Sequence, residues 1–351
     1  MIDWITVRIP CSHPKPINSG HVVSLDSDGS IEWQTDKYLS LESSYSSKLS
    51  IRSLSIENPE NNNKFTHIEI SGNPVKFLQG HNIWGTDSLI ELLCETYIHA
   101  LKLLDLSHLY NAKDIHSGQL TRVDINYMYH LENANSVNNW LRSLEQSATL
   151  RHRGKGQFNH GTLYFGKGSR RWLLKMYHKG QEIKANSKHQ RKDIFDLPAV
   201  TDFAEKSLRV ELQLRSMELL KLGLSTVTAW DEETPKILYN RYLSKLEISE
   251  NTMTIEDSRI LNLPRNYQTS YRLWLTGQDM RTIYSKNTFY KHRRFLLKEL
   301  NIDISIKQVD QQPDLSNVIP LVKTLEAIPV TVPDWAIGTD LYYEPRLISN
   351  R

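Results

Sequence analysis

Hydrophobic and polar residues alternate at period two in several stretches of the chain. In a strand that period sends successive side chains to opposite faces, so each facing is readable. Residues 2–9 form one such stretch. In residues 64–70, Ile68 and Ile70 oppose His67 and Glu69. Along residues 120–129, Thr121, Val123, Ile125 and Tyr127 oppose Arg122, Asp124 and Asn126. In residues 172–179, Trp172, Leu174 and Met176 oppose Lys175, Tyr177 and Lys179. Residues 208–214 set Leu208, Val210, Leu212 and Leu214 against Arg209, Glu211 and Gln213. Residues 30–56, rich in Ser, Ile and Leu, predict further strands or a hairpin.

Helical spacing takes over elsewhere. Leu89, Leu92, Leu93, Tyr97, Leu101 and Leu104 predict a helix over 88–106 that packs on a sheet, and 134–147 predicts a second. Strands and helices without a βαβ rhythm predict an α+β fold, with a mainly antiparallel central sheet and flanking helices. Strand patterns fade after about residue 225, where 223–233 predicts a boundary. Residues 271–275, 279–284 and 286–300 predict a compact three-helix unit. In its third helix Phe289, Leu296 and Leu300 share one direction, with Lys291, Arg294 and Lys298 opposite. A helix packed by one face and basic on the other fits a helix-turn-helix-like reader of duplex DNA. An ordinary amphipathic surface helix would show the same wheel. Pro313, Pro320, Pro329, Pro333 and Pro345 mark an extended tail. The expected organisation is a first domain over 1–224, a mostly helical module over 225–310 and a tail over 311–351.

Composition narrows the class. With 351 residues, 39% hydrophobic and 24% charged, the chain is a folded protein of about two domains. Cys11 and Cys94, its only cysteines, exclude a disulfide framework, and no CxxC suggests structural zinc. The N-terminus lacks a basic segment followed by an apolar one, and no stretch approaches the roughly 18 apolar residues of a membrane helix. These features predict a cytoplasmic protein with no membrane partner. The net charge of +3 hides a basic block. Residues 151–192 hold twelve Lys or Arg, Arg170 and Arg171 among them, against the single acid Glu182. Charge runs are commonly solvated loops, but Phe158, Tyr164, Phe165, Trp172 and Tyr177 interleave here, as suits base stacking beside phosphate neutralisation.

If the four alternating segments are neighbours in one sheet, Glu69, Asp124, Glu211 and Tyr177 converge on one surface. Carboxylates without thiolates suit a hard cation, Mg²⁺ or Mn²⁺. A tyrosine beside it would attack a phosphodiester, with Lys or Arg stabilising the developing charge. Any half-exposed strand alternates in the same way, and Arg-x-Asp or Arg-x-Glu would equally form surface ion pairs. Spacing leaves both readings open.

At these residues the sequence resembles the replication initiation proteins of filamentous phages, the gene II/X family of rolling-circle endonucleases. The most specific stretch is Ile68-Glu69-Ile70 followed by Asn73-Pro74-Val75-Lys76-Phe77-Leu78-Gln79-Gly80-His81-Asn82-Ile83-Trp84-Gly85-Thr86. Thr121-Arg122-Val123-Asp124 and Leu208-Arg209-Val210-Glu211 resemble two further family strands, the second followed by a Leu219–Leu224 ending. Asn317-Val318-Ile319-Pro320-Leu321-Val322 and Val332-Pro333-Asp334-Trp335 recur in order, and the Met1-Ile2-Asp3 start is similar too. The resemblance spans nearly the whole chain. The paired-histidine (HUH) signature of rolling-circle initiators is absent, and His67-Ile68-Glu69 has only a His-x-Glu alternation.

The resemblance implies an initiator-like sheet domain and a site-specific DNA nickase and strand-transferase acting through a 5′-phosphotyrosyl intermediate. Its nucleophile falls on Tyr177, within Tyr177-His178-Lys179-x-x-Glu182, with Tyr164 of Thr162-Leu163-Tyr164-Phe165-Gly166 as the rival. Lys179 would stabilise charge. Asp124, Glu211, Glu69 and Glu182 would hold Mg²⁺ or Mn²⁺. Arg122, Arg209 and His81 are candidate DNA contacts, His81 alternatively a metal ligand or loop organiser. The implied partners are the origin of a circular phage or plasmid genome and the host polymerase and helicase, in the bacterial cytoplasm, with a homodimer left open. A non-catalytic origin-binding protein and a hydrolytic metal nuclease are the competing classes.

Overall fold

The structure, a computed structural model, describes residues 1–55, 65–150, 154–187, 191–248, 263–300, 302–305 and 321–344. The chain forms two compact units, one of Met1–Ala134, Ala148–Glu247 and Ile328–Arg351, the other of Asn135–Ser147 and Ile248–Ala327. The second unit is therefore inserted into the sequence of the first.

The alternating segments become strands, except that Lys179, read at the end of 172–179, starts a helix, and residue 64 lies outside the described residues. β1 is Ile2–His13, β2 His21–Leu25, β3 Ile31–Asp36, β4 Leu39–Glu42, β5 Lys48–Leu54, β6 Phe65–Gly72 and β7 Gln119–His130. Beyond them come β8 Ala148–Leu150, β9 Gly154–Lys155, β10 Gln157–Asn159, β11 Thr162–Phe165, β12 Trp172–His178, β13 Ser207–Arg215 and β14 Leu246–Ile248. Nine join one sheet in the order β10-β11-β12-β13-β7-β1-β6-β5-β4, and its pairings are antiparallel. β2 and β3 form a separate hairpin, and β14, β8 and β9 a small second sheet.

The large sheet buries an aliphatic face. Ile5 and Val7 of β1, Val123 and Ile125 of β7, and Leu212 and Leu214 of β13 are fully buried there. The helices of this unit are α1 Pro74–Gln79, α2 Leu89–Leu103, α3 Ala112–His116, α5 Lys179–Ala185, α6 Pro198–Glu205, α7 Ser216–Leu222 and α8 Thr234–Leu243. The helix expected over 88–106 is α2, and its predicted apolar stripe is buried from Leu89 to Leu101. The first compact unit runs on past the 223–233 stretch to Glu247. α8 stays with the sheet because its aromatic residues need it. Tyr239 meets the Tyr127 ring at 4.7 Å and shares a 3.0 Å hydroxyl contact with Tyr129, and Tyr242 meets Trp172 at 4.7 Å.

A second core lies on the other sheet face. Met128, on the Asp124 and Asn126 side of β7, packs with Ile83, Trp84, Ile183, Val200, Phe203 and Leu341. Much of the expected extended tail thus has a defined place. Val330 donates its N–H to Met128 O (2.8 Å), and Trp335 meets Trp84 edge-on at 5.3 Å.

The second unit contains α4 Ala134–Ser147, apart from its first residue, and α9 Arg265–Leu275, α10 Met280–Ile283, α11 Lys286–Leu300 and α12 Leu321–Glu326. Phe289, Leu296 and Leu300 of α11 pack with Met280 and Ile304, as their spacing predicts, while Lys291, Arg294 and Lys298 face solvent. Residues 317–320 of one recurring motif, and Arg151, Arg153 and Lys188 of the basic block, lie outside the described residues.

Candidate active site

Strand register decides which side chains meet. Lys175 of β12 lies opposite Glu211 of β13, Tyr177 opposite Arg209, and Tyr164 of β11 opposite Lys175. Across β13 and β7, Glu211 lies opposite Asn126 and Gln213 opposite Asp124. Asp124, Lys175, Tyr177 and Glu211 therefore converge on one face of three neighbouring strands.

The Lys175 ammonium donates to Glu211 Oε1 and lies 3.6 Å from Asp124 Oδ2. Arg122 closes the other side of Asp124 with a forked pair of bonds, 2.8 and 2.5 Å long. Tyr177, only 8% exposed, donates its hydroxyl to Glu211 Oε2 over 3.2 Å. Burial pushes the Glu211 carboxyl up to about 7; Lys175 opposes that rise and Asp124 adds to it. Burial would lower the Lys175 ammonium, yet Glu211 and Asp124 outweigh it and hold the group protonated. Burial, and then the Glu211 charge, raise the Tyr177 phenol well above its ordinary value, with Arg209 opposing. This is a protonated phenol bonded to a carboxylate that titrates near neutrality.

A second cluster adjoins it. Lys179, 0% exposed, donates to Asn82 Oδ1 (2.8 Å) and Glu182 Oε2 (2.6 Å). Burial and the nearby Arg209 lower its pKa to about 8, against the pull of Glu182. Asn82 also donates to Asp3 (2.9 Å), as does Asn73 (2.8 Å). Arg209, likewise 0% exposed, donates to Asn82 O and, at 2.9 Å, to Ile83 O, and its guanidinium lies 3.6 Å from Asp3. Burial would raise the Asp3 carboxyl, but Arg209 and Lys179 outweigh it.

The loop that presents Asn82 is built by the most specific sequence motif. Asn73 caps α1 by accepting the Lys76 N–H at 2.8 Å, Pro74 starts the helix, and Gly80 ends it at φ 88. Gln79 donates to Trp84 O (2.9 Å), Trp84 to Leu341 O (2.9 Å), and Tyr343 N–H to Gln79 Oε1 (2.8 Å). His81 is 0% exposed, and burial with the Arg191 charge lowers its pKa to about 3. Its neutral ring accepts the Ile83 N–H at 3.3 Å and organises the loop from inside. At Gly80 a Cβ would meet Arg191 at 2.8 Å and Tyr45 at 2.9 Å. Gly80→Ala is expected to cost about 2–4 kcal/mol through left-handed strain plus overpacking, read as a lowered urea midpoint.

Not every candidate lies in these clusters. Glu69 shares the polar face but sits two strands from Asp124, held by Arg8 (2.7 Å), Arg52 (2.9 Å) and Tyr38. Burial would raise its carboxyl, and these three donors outweigh burial. His67 bonds Thr66 (2.8 Å). Glu182 belongs to the Lys179 cluster. The basic block divides as well. Lys155, Lys167, Arg170, Lys184 and Lys192 are exposed and Arg171 is half-buried, whereas Lys175, Lys179 and Arg191 are neutralised inside by carboxylates. Like Lys179, Arg209 is sealed from solvent, whereas Arg122 is partly exposed above Asp124.

Among the described residues no three or more His, Cys, Asp or Glu side chains are arranged to hold a metal. The oxygen donors of Asp124 and Glu211 suit a hard cation chemically. The Lys175 ammonium stands at that shared position, and Glu69 and Glu182 lie elsewhere, so the four carboxylates do not fit a common divalent site as placed.

Two sequence-family comparisons cover most of the chain. The family described as the N-terminal part of the phage gene II replication-associated protein matches residues 1–233, and that described as its C-terminal part matches 255–347. The replication-associated protein of Enterobacteria phage I2-2 is 39% identical over 337 residues, 95% of each chain. The replication-associated protein of Salmonella phage IKe is 28% identical over 128 residues, 36% of this chain and 30% of the relative. That of Enterobacteria phage M13 is 26% identical over 180 residues, 46% and 43% of the two chains.

Proposed function

The chain belongs to the gene II family of phage replication-associated proteins, and from that premise we propose that it is a site-specific DNA nickase and strand-transferase with Tyr177 as nucleophile. The observation that carries the reading is the Tyr177 hydroxyl donating to Glu211, a carboxylate raised to about 7. The large antiparallel sheet agrees with an initiator-like fold, in which Asp124, Lys175 and Glu211 surround the tyrosine.

In the proposed step the Tyr177 oxygen attacks an origin phosphorus and its proton passes to Glu211. The phosphorus bond to the 3′-oxygen breaks, that oxygen takes a proton from water, and the 5′-phosphate stays on the tyrosine. Lys175 and Arg122 face the charge that develops on the phosphoryl oxygens, while Lys179 and Arg209 hold the Asn82 loop. The covalent bond conserves the energy needed to reseal the displaced strand. Lys175, seated between Asp124 and Glu211, supplies there the positive charge that Mg²⁺ or Mn²⁺ would otherwise bring. Origin DNA is the partner, and host helicase and polymerase open the duplex and extend the free 3′-end in the bacterial cytoplasm. No helix among the described residues is long and apolar enough to cross a membrane.

Incubation with supercoiled origin plasmid and Mg²⁺ tests the reading. Open circles carrying protein on a 5′ end support it, cutting without attachment indicates a hydrolytic nuclease, and binding alone a non-catalytic origin protein. The pH dependence of single-turnover nicking adds a second test. Rate is expected to rise with pH to about 7 as Glu211 loses its proton, and to fall above about 8 as Lys179 loses its own. Glu211→Gln should remove the acid limb, and a flat profile in the wild type would deny Glu211 the role of base.

A further inference from the structure

On the same sheet face, one strand outward from Tyr177, lies a cleft that the proposed chemistry does not use. It encloses about 400 Å³ and is lined by Lys155, Gln157, Tyr164, Lys167 and Ser169, with Gly166 and Gly168 in the loop. No carboxylate among the described residues lines it. Tyr164 is partly exposed, and the Lys167 ammonium sits 5.1 Å over its ring. Glycines make the opening. β10 and β11 join through His160 and Gly161, both at positive φ, the turn that a two-residue hairpin requires. Gly166 turns at φ 78 where the lining loop leaves β11.

We propose that this cleft binds the nucleotide next to the scissile phosphate in single-stranded DNA, with its base stacked on Tyr164 and its phosphates held by Lys155 and Lys167. The proposal rests on the nickase reading and gives the rival tyrosine a different task. Register supports the division. Tyr177 lies opposite Thr162, so Tyr164 is its diagonal neighbour across the strand pair, a separation of roughly 7–8 Å, close to one nucleotide step in an extended strand. Tyr177 is bonded to a carboxylate, whereas Tyr164 presents its ring to cations and to open space, as a stacking platform does. Lys167 is a flexible tether that moves off the ring onto phosphate when a base takes its place.

The test is binding of fluorescein-labelled dT12 and an abasic 12-mer to full-length protein carrying Tyr177→Phe, which removes cleavage. Adding Tyr164→Ala should weaken dT12 binding roughly 5- to 100-fold and leave the abasic probe within about twofold. Tyr164→Phe and Tyr164→Trp should retain the affinity, because the ring matters and the hydroxyl does not. Lys155→Ala and Lys167→Ala should each reduce the salt dependence of binding by about 0.7 in log–log slope. Equal affinity of the Ala variant for dT12, or a loss in the Phe variant as large as in Ala, overturns the proposal. Tyr164→Leu repeats the comparison should the Ala variant fail to fold. A wild type that never nicks would defeat the proposed function and leave this binding result intact.

Discussion

Tyr177→Phe is expected to abolish covalent attachment to origin DNA and to lower nicking by roughly 10⁴-fold or more, the scale of losing a nucleophile, while duplex binding should stay within about twofold. The separation is expected because only the hydroxyl changes. The ring remains in its buried place, and what disappears is its 3.2 Å hydrogen bond to Glu211. Nicking of labelled supercoiled plasmid, with mass spectrometry of the peptide left on the DNA, reads both quantities. Attachment that persists in Tyr177→Phe and disappears in Tyr164→Phe would move the nucleophile to β11 and make the Glu211 bond structural.

The second large effect is on stability. Arg209→Met is expected to destabilise the first unit by about 3–5 kcal/mol, because it removes one member of a buried charge cluster and strands the others. Two backbone carbonyls, Asn82 O and Ile83 O, lose their donor, and Asp3 loses the strongest of its nearby cations. Calorimetry should show the corresponding transition falling by roughly 10 °C. The helical unit around Phe289 and Leu296, with its own core, should melt unchanged. A shift under about 2 °C would mean that the Asn82 loop holds its form without Arg209.

Strand facing was legible in the sequence because period two leaves little choice. The polar and apolar sides of β6, β7, β12 and β13 are those the alternation assigns. Strand order was not legible, and order puts Glu69 two strands from Asp124 and brings Lys175 between Asp124 and Glu211. Lys175 stood on the correct side of its segment, yet its partner is 36 residues away and is chosen by register. Asp3 and Asn82 carried no usable pattern. Asp3 lies where the β1–β7 register shifts, between Ile2 and Trp4, and Asn82 sits in a loop with no periodicity. The signal for Asn82 was the motif itself, Asn73 through Thr86, whose residues cap, turn and tie one short segment, and that for Asp3 was the Met1-Ile2-Asp3 start. Charge counting failed in a different way. It saw one basic block, where the fold sends three of the block's cations inward to carboxylates.

Residues 330–343 return to the first unit and tie down the loop that presents Asn82. A ribosome that stops before residue 328 releases a chain holding Tyr177, Lys175 and Glu211 but lacking the backbone groups that tie down Gln79 and Trp84. Such an unfinished product should lack a settled Asn82 loop.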